Sequence, residues 1–169
     1  IETGGPTPGL GCAGRGIIAT FSLLEDLELF ETHQPDVVLY DVLGDVVCGG
    51  FSMPMRRGYA DKIFVITSGE NMAIHAAANI AMAVENFKDR GYAQLGGLIL
   101  NRRNVKNEDA KVEELAEDIH SKVIGTLSRS ALVTDAEEQK KTVIEAYPDS
   151  EMAEEYRILA GEIRTLCGI

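Results

Sequence analysis

Apolar residues along the chain follow two alternating patterns. Short, mostly apolar runs are typical of strands buried on both faces of a sheet, and they cover residues 36–40, 62–67, 94–100 and 121–127. Apolar residues at spacings of three and four predict helices over residues 16–30, 71–87, 109–120 and 150–167. This alternation predicts an α/β fold: a mostly parallel, doubly wound sheet with helices on both sides.

Each predicted helix has one face that we expect to pack on the sheet. These inward-facing positions are Ile17, Phe21, Leu24 and Leu27; Met72, Ala76, Ile80, Ala83, Val84 and Phe87; Val112, Leu115, Ala116 and Ile119; and Met152, Tyr156, Leu159, Ile163 and Leu166. The charged segment 135–141 is most simply a solvated helix face.

Composition narrows the class of protein. The length of 169 residues suits a single domain. Lys and Arg number 16 against 27 Asp and Glu, and the resulting net charge of −11 disfavours a nucleic-acid partner, which needs a concentrated basic face. No apolar run approaches the ~18 residues of a membrane span. We therefore expect no membrane partner. Because three cysteines do not make a disulfide scaffold, we also expect a cytoplasmic protein.

The first residues have the composition of a loop. The chain opens on Ile1 rather than Met and runs through the Gly- and Pro-rich residues 1–9, with no strand or helix pattern before them. We therefore expect residues 1–169 to form a single-domain fragment, the middle and C-terminal part of a longer domain.

A candidate nucleotide-binding segment follows the predicted strand 36–40. Ligands of parallel sheets bind at the carboxyl ends of strands, and here the sequence reads Asp41-Val42-Leu43-Gly44-Asp45. In P-loop nucleotidases such a segment places a carboxylate (Asp41) near Mg²⁺ and a glycine N–H (Gly44) near the terminal phosphate. Asp45 would then orient the attacking water. An ordinary Asp/Gly turn remains the alternative.

The phosphate loop that would accompany this segment does not occur in the sequence. The motif G-x-x-x-x-G-K-[S/T] requires a lysine after a glycine, and no lysine of this chain has that position. The predicted fold is therefore of the P-loop nucleotidase type without its N-terminal strand and P-loop. We expect the 169 residues alone to be inactive and not to bind MgATP appreciably.

Two cysteines stand among glycines. Cys12 lies in Gly-Cys-Ala-Gly and Cys48 in Val-Cys-Gly-Gly, so backbone N–H groups can approach whatever the sulfur atoms hold. That environment suits an iron–sulfur cluster, and two ligands per chain become four across a two-fold axis. The alternative is two small buried hydrophobic residues. Cys167, on the last predicted helix, is expected to be a buried or terminal thiol.

A dinucleotide-binding motif is a weaker alternative. Residues 9–14 fit G-x-G-x-x-G, but such a site requires a strand immediately before the glycines, and Pro6 and Pro8 stand there instead. A Rossmann oxidoreductase is the alternative that this motif would support.

Taken together, these segments resemble a known family. Gly-Cys-Ala-Gly-Arg-Gly at 11–16 and the long run from Asp41 to Phe51 are similar to the nitrogenase iron protein family. Further similar stretches lie at 68–70, 96–99 and 142–145. The resemblance covers nearly the whole chain but only the middle and later part of the family's length.

The resemblance implies a homodimer bridged by one 4Fe–4S cluster. Such a protein delivers single electrons with MgATP hydrolysis to nitrogenase or a nitrogenase-like reductase, and it receives them from ferredoxin or flavodoxin. The implied cluster ligands are Cys12 and Cys48. Arg15 matches a surface arginine that is ADP-ribosylated in some members of the family.

The resemblance also implies a nucleotide site. Asp41 would act near Mg²⁺ as the switch carboxylate, Gly44 would contact the γ-phosphate and Asp45 would position water. Asn101 and Tyr156 match positions near the nucleotide base.

Three positions depart from the family pattern. Ser128 and Ser130 replace the ends of a usual Pro-Arg-Asp, and Met152 stands where glutamine is usual. These changes suggest a divergent homologue, for example one that serves a tetrapyrrole-reducing system. A cluster-free deviant-Walker ATPase of the partitioning or metal-carrier type is the principal alternative.

Overall fold

The computed structural model describes residues 1–2, 14–42, 44, 52–56, 58–88 and 91–169. Within these residues the chain forms seven α-helices, one 3₁₀ turn and three strands. In chain order they are α1 (Gly14–Asp26), α2 (Leu29–His33), the 3₁₀ turn (Met53–Met55), β1 (Lys62–Thr67), α3 (Asn71–Phe87), β2 (Gln94–Asn101), α4 (Glu108–Asp118), β3 (Val123–Leu127), α5 (Ala131–Glu138), α6 (Val143–Ala146) and α7 (Glu151–Cys167).

The strands form a parallel sheet in the order β1-β2-β3. Val65 pairs with Leu98 across the first ladder, and Asn101 pairs with Leu127 across the second. The predicted strands 62–67, 94–100 and 121–127 are thus confirmed, with ends that shift by one or two residues. The predicted α/β class with a parallel sheet is confirmed as well.

Helices cover both faces of this sheet, as the alternation predicts. One hydrophobic cluster joins Leu98 and Leu100 of β2 to Val112 of α4, and α3 contributes Ala77 to it. The other joins Ile99 of β2 and residues of β3 to α5, α6 and α7. Because Leu98 and Leu100 point to one side and Ile99 to the other, β2 is buried on both faces.

Two glycines let the strands pack closely. The β1–β2 register shifts between Ile63 and Phe64, so that Phe64 pairs with Gly97 and Gly96 is left over. A side chain at Gly96 would overlap the Phe64 ring, and Gly97 has φ +148°, a conformation that L side chains rarely adopt.

The predicted strand at residues 36–40 is wrong. In the structure this segment is irregular and pairs with none of the described strands, and Val37, Val38 and Leu39 are 52%, 40% and 85% exposed. An apolar run becomes a buried strand only where a neighbouring strand accepts its backbone hydrogen bonds and other layers cover its faces. The described residues give this segment no neighbouring strand, and they cover only Tyr40 in part, through Phe21.

The first predicted helix ends early. It spans Gly14–Asp26 rather than continuing to residue 30, because Glu28 adopts a left-handed conformation (φ 48°) and α2 follows as a separate short helix. Phe21 and Leu24 are buried as predicted, whereas Leu27 is 60% exposed.

Most of the other predicted inward faces agree with the structure, with one exception at the start of α3. Met72 is 79% exposed and Ala76 is exposed, while Ala77, Ala81 and Val84 form the buried face. Met72 lies in the first turn of α3, beyond the carboxyl end of β1, so no strand is there to cover it.

Two short helices follow β3 that periodicity does not predict. Ser130 caps α5 by accepting a hydrogen bond from the Leu132 N–H, and a reciprocal capping box between Thr142 and Glu145 begins α6. Among the described residues, no helix is both long and apolar enough to cross a bilayer.

Candidate functional site

The carboxyl ends of β1, β2 and β3 meet at one edge of the sheet, since the strands are parallel. Three loops leave this edge, after Thr67, Asn101 and Leu127. Ligands of open parallel sheets bind at this position, so these loops form the candidate functional site.

The loop after β2 is held by a buried carboxylate. Glu108, the first residue of α4, is only 5% exposed, and its two oxygens accept hydrogen bonds from the N–H groups of Arg103 (3.0 Å) and Asn104 (3.1 Å). These bonds satisfy two loop donors and place a negative charge at a helix N-terminus, where the helix dipole favours it. The backbone just after Asn101 is therefore fixed.

The loops after β1 and β2 are packed tightly against each other. A Cβ on Gly69 would overlap the Cβ of Glu108, so only glycine allows this approach. The Lys111 ammonium donates to the Gly69 carbonyl (3.1 Å) and to Asn71 Oδ1 (3.4 Å). A groove of about 470 Å³ opens here, and it is lined by Glu70, Asn71, Met72, Ala73, Val105 and Lys111.

The loop after β3 is joined to the last helix by a second carboxylate. Glu155 of α7 accepts hydrogen bonds from the Ser128 N–H and from the Ser128 hydroxyl, both at 2.7 Å. The Arg102 N–H donates to the Leu127 carbonyl (2.9 Å), so the loops after β2 and β3 leave the sheet side by side.

Arginines lie on the solvent side of this edge. Arg102 pairs with Asp109, and this hydrogen bond to a carboxylate raises the pKa of the Arg102 guanidinium. Arg129 donates to the Arg103 carbonyl at 3.4 Å. This edge therefore carries charges of both signs, since Glu108, Asp109 and Glu155 lie beside the arginines.

The structure describes both positions expected near a nucleotide base, Asn101 and Tyr156. Asn101 is exposed at the end of β2, opposite Leu127. Tyr156 is half-buried on α7, next to the Glu155 that holds Ser128. Their elements are linked through β3, because Leu127 pairs with Asn101 and the following Ser128 is hydrogen-bonded to Glu155.

The other predicted site residues are less constrained or lie outside the described residues. Arg15 is exposed in the first turn of α1, and Asp41 is exposed in the irregular segment. Gly44 lies against α3, where a Cβ would be 3.6 Å from the Ile80 side chain.

Three predicted site residues lie outside the described residues: Cys12, Cys48 and Asp45. Within the part that the structure describes, no group of three or more His, Cys, Asp or Glu residues could hold a metal ion.

The three departures from the family pattern each have a structural role in this chain. Ser128 binds Glu155, and Ser130 caps α5. Met152 is 4% exposed in the hydrophobic cluster under α7. The thiol of Cys167 is free and exposed at the end of α7.

Sequence reasoning missed the two carboxylates that organise this edge. Glu108 has a local signal, since acidic residues are favoured in the first turn of a helix. Glu155 has none, because its partner Ser128 lies 27 residues earlier in the chain.

Comparison with known proteins agrees with the architecture. The MinD cell division protein of Aquifex aeolicus aligns with a TM-score of 0.61 and 18% identity over 92% of this chain and 61% of its own. The cell division ATPase MinD of Pyrococcus furiosus aligns with a TM-score of 0.50 and 19% identity over 63% of this chain and 43% of its own. These likenesses support the P-loop nucleotidase type of fold.

Sequence relatives are much closer. The chain is 52% identical to a nitrogenase iron protein of Methanospirillum hungatei over 98% of its length, 49% identical to nitrogenase iron protein 2 of Methanothermobacter thermautotrophicus over 96%, and 45% identical to a nitrogenase iron protein of Methanococcus voltae over 96%. It spans 59–60% of the length of these relatives. The model of the 4Fe-4S iron sulfur cluster binding proteins, NifH/frxC family, matches residues 1–166, and the chain belongs to this family.

Proposed function

We propose that the protein containing this chain is an ATP-dependent electron-transfer protein that passes single electrons from a 4Fe–4S cluster to nitrogenase or a nitrogenase-like reductase. The observation that carries the proposal is the 45–52% identity to nitrogenase iron proteins over 96–98% of the chain. The MinD likeness, at 18–19% identity, supports the fold alone and not the cluster-free alternative.

In this proposal, Cys12 and Cys48 hold the cluster. Thiolates are the ligands that iron–sulfur clusters prefer, and both cysteines stand among glycines, which leave room for backbone N–H groups to approach the cluster sulfides. Two such thiols per chain fit a cluster shared by two copies of the protein across a two-fold axis. When bound, the cluster would supply the one-electron redox step.

The remaining site residues are proposed to bind and hydrolyse the nucleotide. Asp41 acts near Mg²⁺, Gly44 contacts the γ-phosphate and Asp45 orients the attacking water. Asn101 and Tyr156 lie near the base, at the edge where parallel-sheet ligands bind. Only six residues separate Asp41 from Cys48, so movement of this segment on phosphate loss would displace the cysteine as well.

Arg15 belongs to the surface that meets the acceptor protein. It is exposed in the first turn of α1, three residues after Cys12, and it carries a positive charge in an acidic chain. This position also fits the ADP-ribosylated arginine of some family members. Ferredoxin or flavodoxin would serve as the electron donor, and the protein would act in the cytoplasm.

Iron analysis of cysteine variants tests the cluster half of the proposal. The full-length protein, purified without oxygen, is expected to be a brown dimer with about four irons per dimer. Cys12→Ser and Cys48→Ser should each abolish the cluster. Cys167→Ser is the matched control, because that thiol is free and exposed at the end of α7. Full iron content in Cys48→Ser would overturn the assignment, and a colourless, iron-free wild-type dimer would favour the cluster-free ATPase.

Single-turnover hydrolysis tests the nucleotide half. A carboxylate that orients or deprotonates the attacking water contributes about 10²–10⁴-fold in rate. Asp45→Asn in the full-length protein should lose hydrolysis to this extent while ATP still binds and the cluster still forms. Near-wild-type hydrolysis would contradict the role given to Asp45.

A further inference from the structure

Two short hydrogen bonds join Ser128, in the loop after β3, to Glu155 on the distant helix α7. Both carboxylate oxygens are used: one accepts from the Ser128 N–H and the other from the hydroxyl, each at 2.7 Å. Both residues are half-buried, so solvent weakens these bonds less than it would on an open surface. Hydrogen bonds to a charged acceptor are about twice as strong as neutral ones.

This link lies between the two positions proposed near the base. Leu127, which precedes Ser128, pairs with Asn101 and accepts a hydrogen bond from the Arg102 N–H at 2.9 Å. Tyr156 follows Glu155 on α7, whose inner face is anchored in the hydrophobic cluster. Glu155 therefore fixes the loop after β3 relative to both Asn101 and Tyr156.

We propose that Glu155, acting through Ser128, is a positioning residue that holds the β3–α5 loop in the shape that accepts the adenine part of a nucleotide. The inference rests on the proposed function, because it assumes that the base binds at this edge. Glu155 does not itself need to touch the nucleotide, since both of its oxygens already have partners. A loop ordered in advance binds more tightly, because the ligand does not have to order it.

Serine at position 128 supplies the donors of both hydrogen bonds to Glu155. The family pattern has proline there, and proline has neither an N–H nor a hydroxyl to offer to the carboxylate. Ser128→Pro consequently removes both hydrogen bonds at once and leaves Glu155 without them. Ser128→Ala removes only the hydroxyl, and Ser128→Thr keeps both donors.

The test measures the affinity of the full-length protein for MgATP and for magnesium tripolyphosphate, which carries the phosphates without the base. Glu155→Ala and Ser128→Pro should each weaken MgATP binding about tenfold and Ser128→Ala about threefold, with tripolyphosphate affinity unchanged. Ser128→Thr should restore wild-type affinity. Glu154→Gln is the matched control, because Glu154 is the neighbouring exposed carboxylate and pairs with Arg157 at 3.4 Å.

The ratio of the two affinities separates positioning from mere stabilisation. Equal losses for MgATP and tripolyphosphate would overturn the proposal, since a general loosening affects both ligands. Unchanged MgATP binding in Ser128→Ala and Ser128→Pro would overturn it as well, and these variants serve if Glu155→Ala does not fold. A wild-type protein that binds tripolyphosphate but gains nothing from the base would overturn this inference alone. Failure to bind either ligand would overturn the nucleotide half of the proposed function with it.

Discussion

Two regions of the molecule treat similar apolar sequences differently. In residues 61–169, the sheet region, Leu98 and Val112 are completely buried, and helices cover both faces of the sheet. In the described part of residues 14–59, the leading region, Val37 and Leu39 are 52% and 85% exposed. The apolar runs of the two regions are similarly hydrophobic. Whether a run is buried therefore depends on how many other elements pack against it.

The leading region has a small core of its own. Phe21 of α1 is 5% exposed and packs edge-on against Tyr59, with ring centroids 4.5 Å apart, and against Tyr40 at 5.3 Å. The Ala93 N–H donates to the Met55 carbonyl at 2.8 Å, which ties this region to the start of β2. A few aromatic contacts thus organise α1 and its surroundings, whereas two extended clusters organise the sheet.

Truncation of one leucine in each region gives the largest expected contrast. Leu98→Ala removes a fully buried side chain of β2 and should lower the free energy of unfolding by about 2–5 kcal/mol. Leu39→Ala, the matched control, should change it by less than about 0.5 kcal/mol because the side chain is 85% exposed. Urea unfolding of the two variants measures both values. Equal losses would show that residues 36–40 are packed as firmly as the sheet.

This contrast also explains which parts of the fold the sequence could predict. Runs such as 62–67 and helices such as α4 are identified by local pattern, because the same pattern is buried in the finished sheet. Residues 36–40 have that pattern too. A buried strand also needs an adjacent strand to pair with, and the local sequence does not show whether one is present. The start of α6 has a local signal of a different kind, the capping box at Thr142 and Glu145, which hydrophobic periodicity does not detect.

The second prediction concerns close packing at the candidate site. Gly69→Ala would place a Cβ onto Glu108 and force the loops after β1 and β2 apart, at a cost of about 1–3 kcal/mol. Gly161→Ala is the control: nothing lies within 4 Å of the added atom, and alanine favours the helix α7 by about 0.5–1 kcal/mol. Thermal or urea unfolding should therefore show opposite signs. A stabilising Gly69→Ala would contradict the packing of the two loops.

The candidate site shows the same division between local and long-range information. Asn101 and Ser128 follow predicted strands, so their place at one edge could be expected from a parallel sheet. The hydrogen bonds of Glu155 to Ser128 could not, since they join residues 27 apart and depend on how α7 packs. Glu108 differs, because its partners lie only four and five residues earlier. Long-range hydrogen bonds of this kind follow from tertiary structure rather than from the sequence around either residue.

A smaller effect probes the aromatic core of the leading region. The Tyr59 hydroxyl donates to the Glu25 carboxylate, and this hydrogen bond, with burial and the negative charge of Glu25, raises the pKa of Tyr59 from 10.0 to about 12. Because the folded-state pKa is raised, the bond contributes stability below about pH 10 and loses it as the pH rises toward about 12. Tyr59→Phe should cost about 0.5 kcal/mol near neutral pH, since the site is largely solvated.

Phenolate absorbance of the wild type minus Tyr59→Phe isolates the titration of this residue. Glu25→Gln, which removes the charge, should bring the midpoint back toward 10. A wild-type midpoint already near 10 would mean that the Tyr59 hydroxyl is not hydrogen-bonded to Glu25, and only the ring contact with Phe21 would then join Tyr59 to α1.

The smallest expected effect lies on the surface of the sheet region, at the start of α6. The Glu145 carboxylate accepts hydrogen bonds from the Thr142 N–H and hydroxyl, both at 2.8 Å, and these bonds lower the pKa of Glu145 below its ordinary value of 4.5. Because the folded-state pKa is depressed, the contribution to stability is present above about pH 4.5 and is lost as the pH falls below it. Glu145→Gln keeps an acceptor oxygen but cannot titrate, so the difference in unfolding free energy between wild type and variant should shrink on acidification.

Glu138→Gln, which removes an exposed carboxylate at the end of α5, corrects for the loss of one surface charge. Parallel pH profiles for the wild type and Glu145→Gln would show that the charge of Glu145 adds nothing to the capping box in solution.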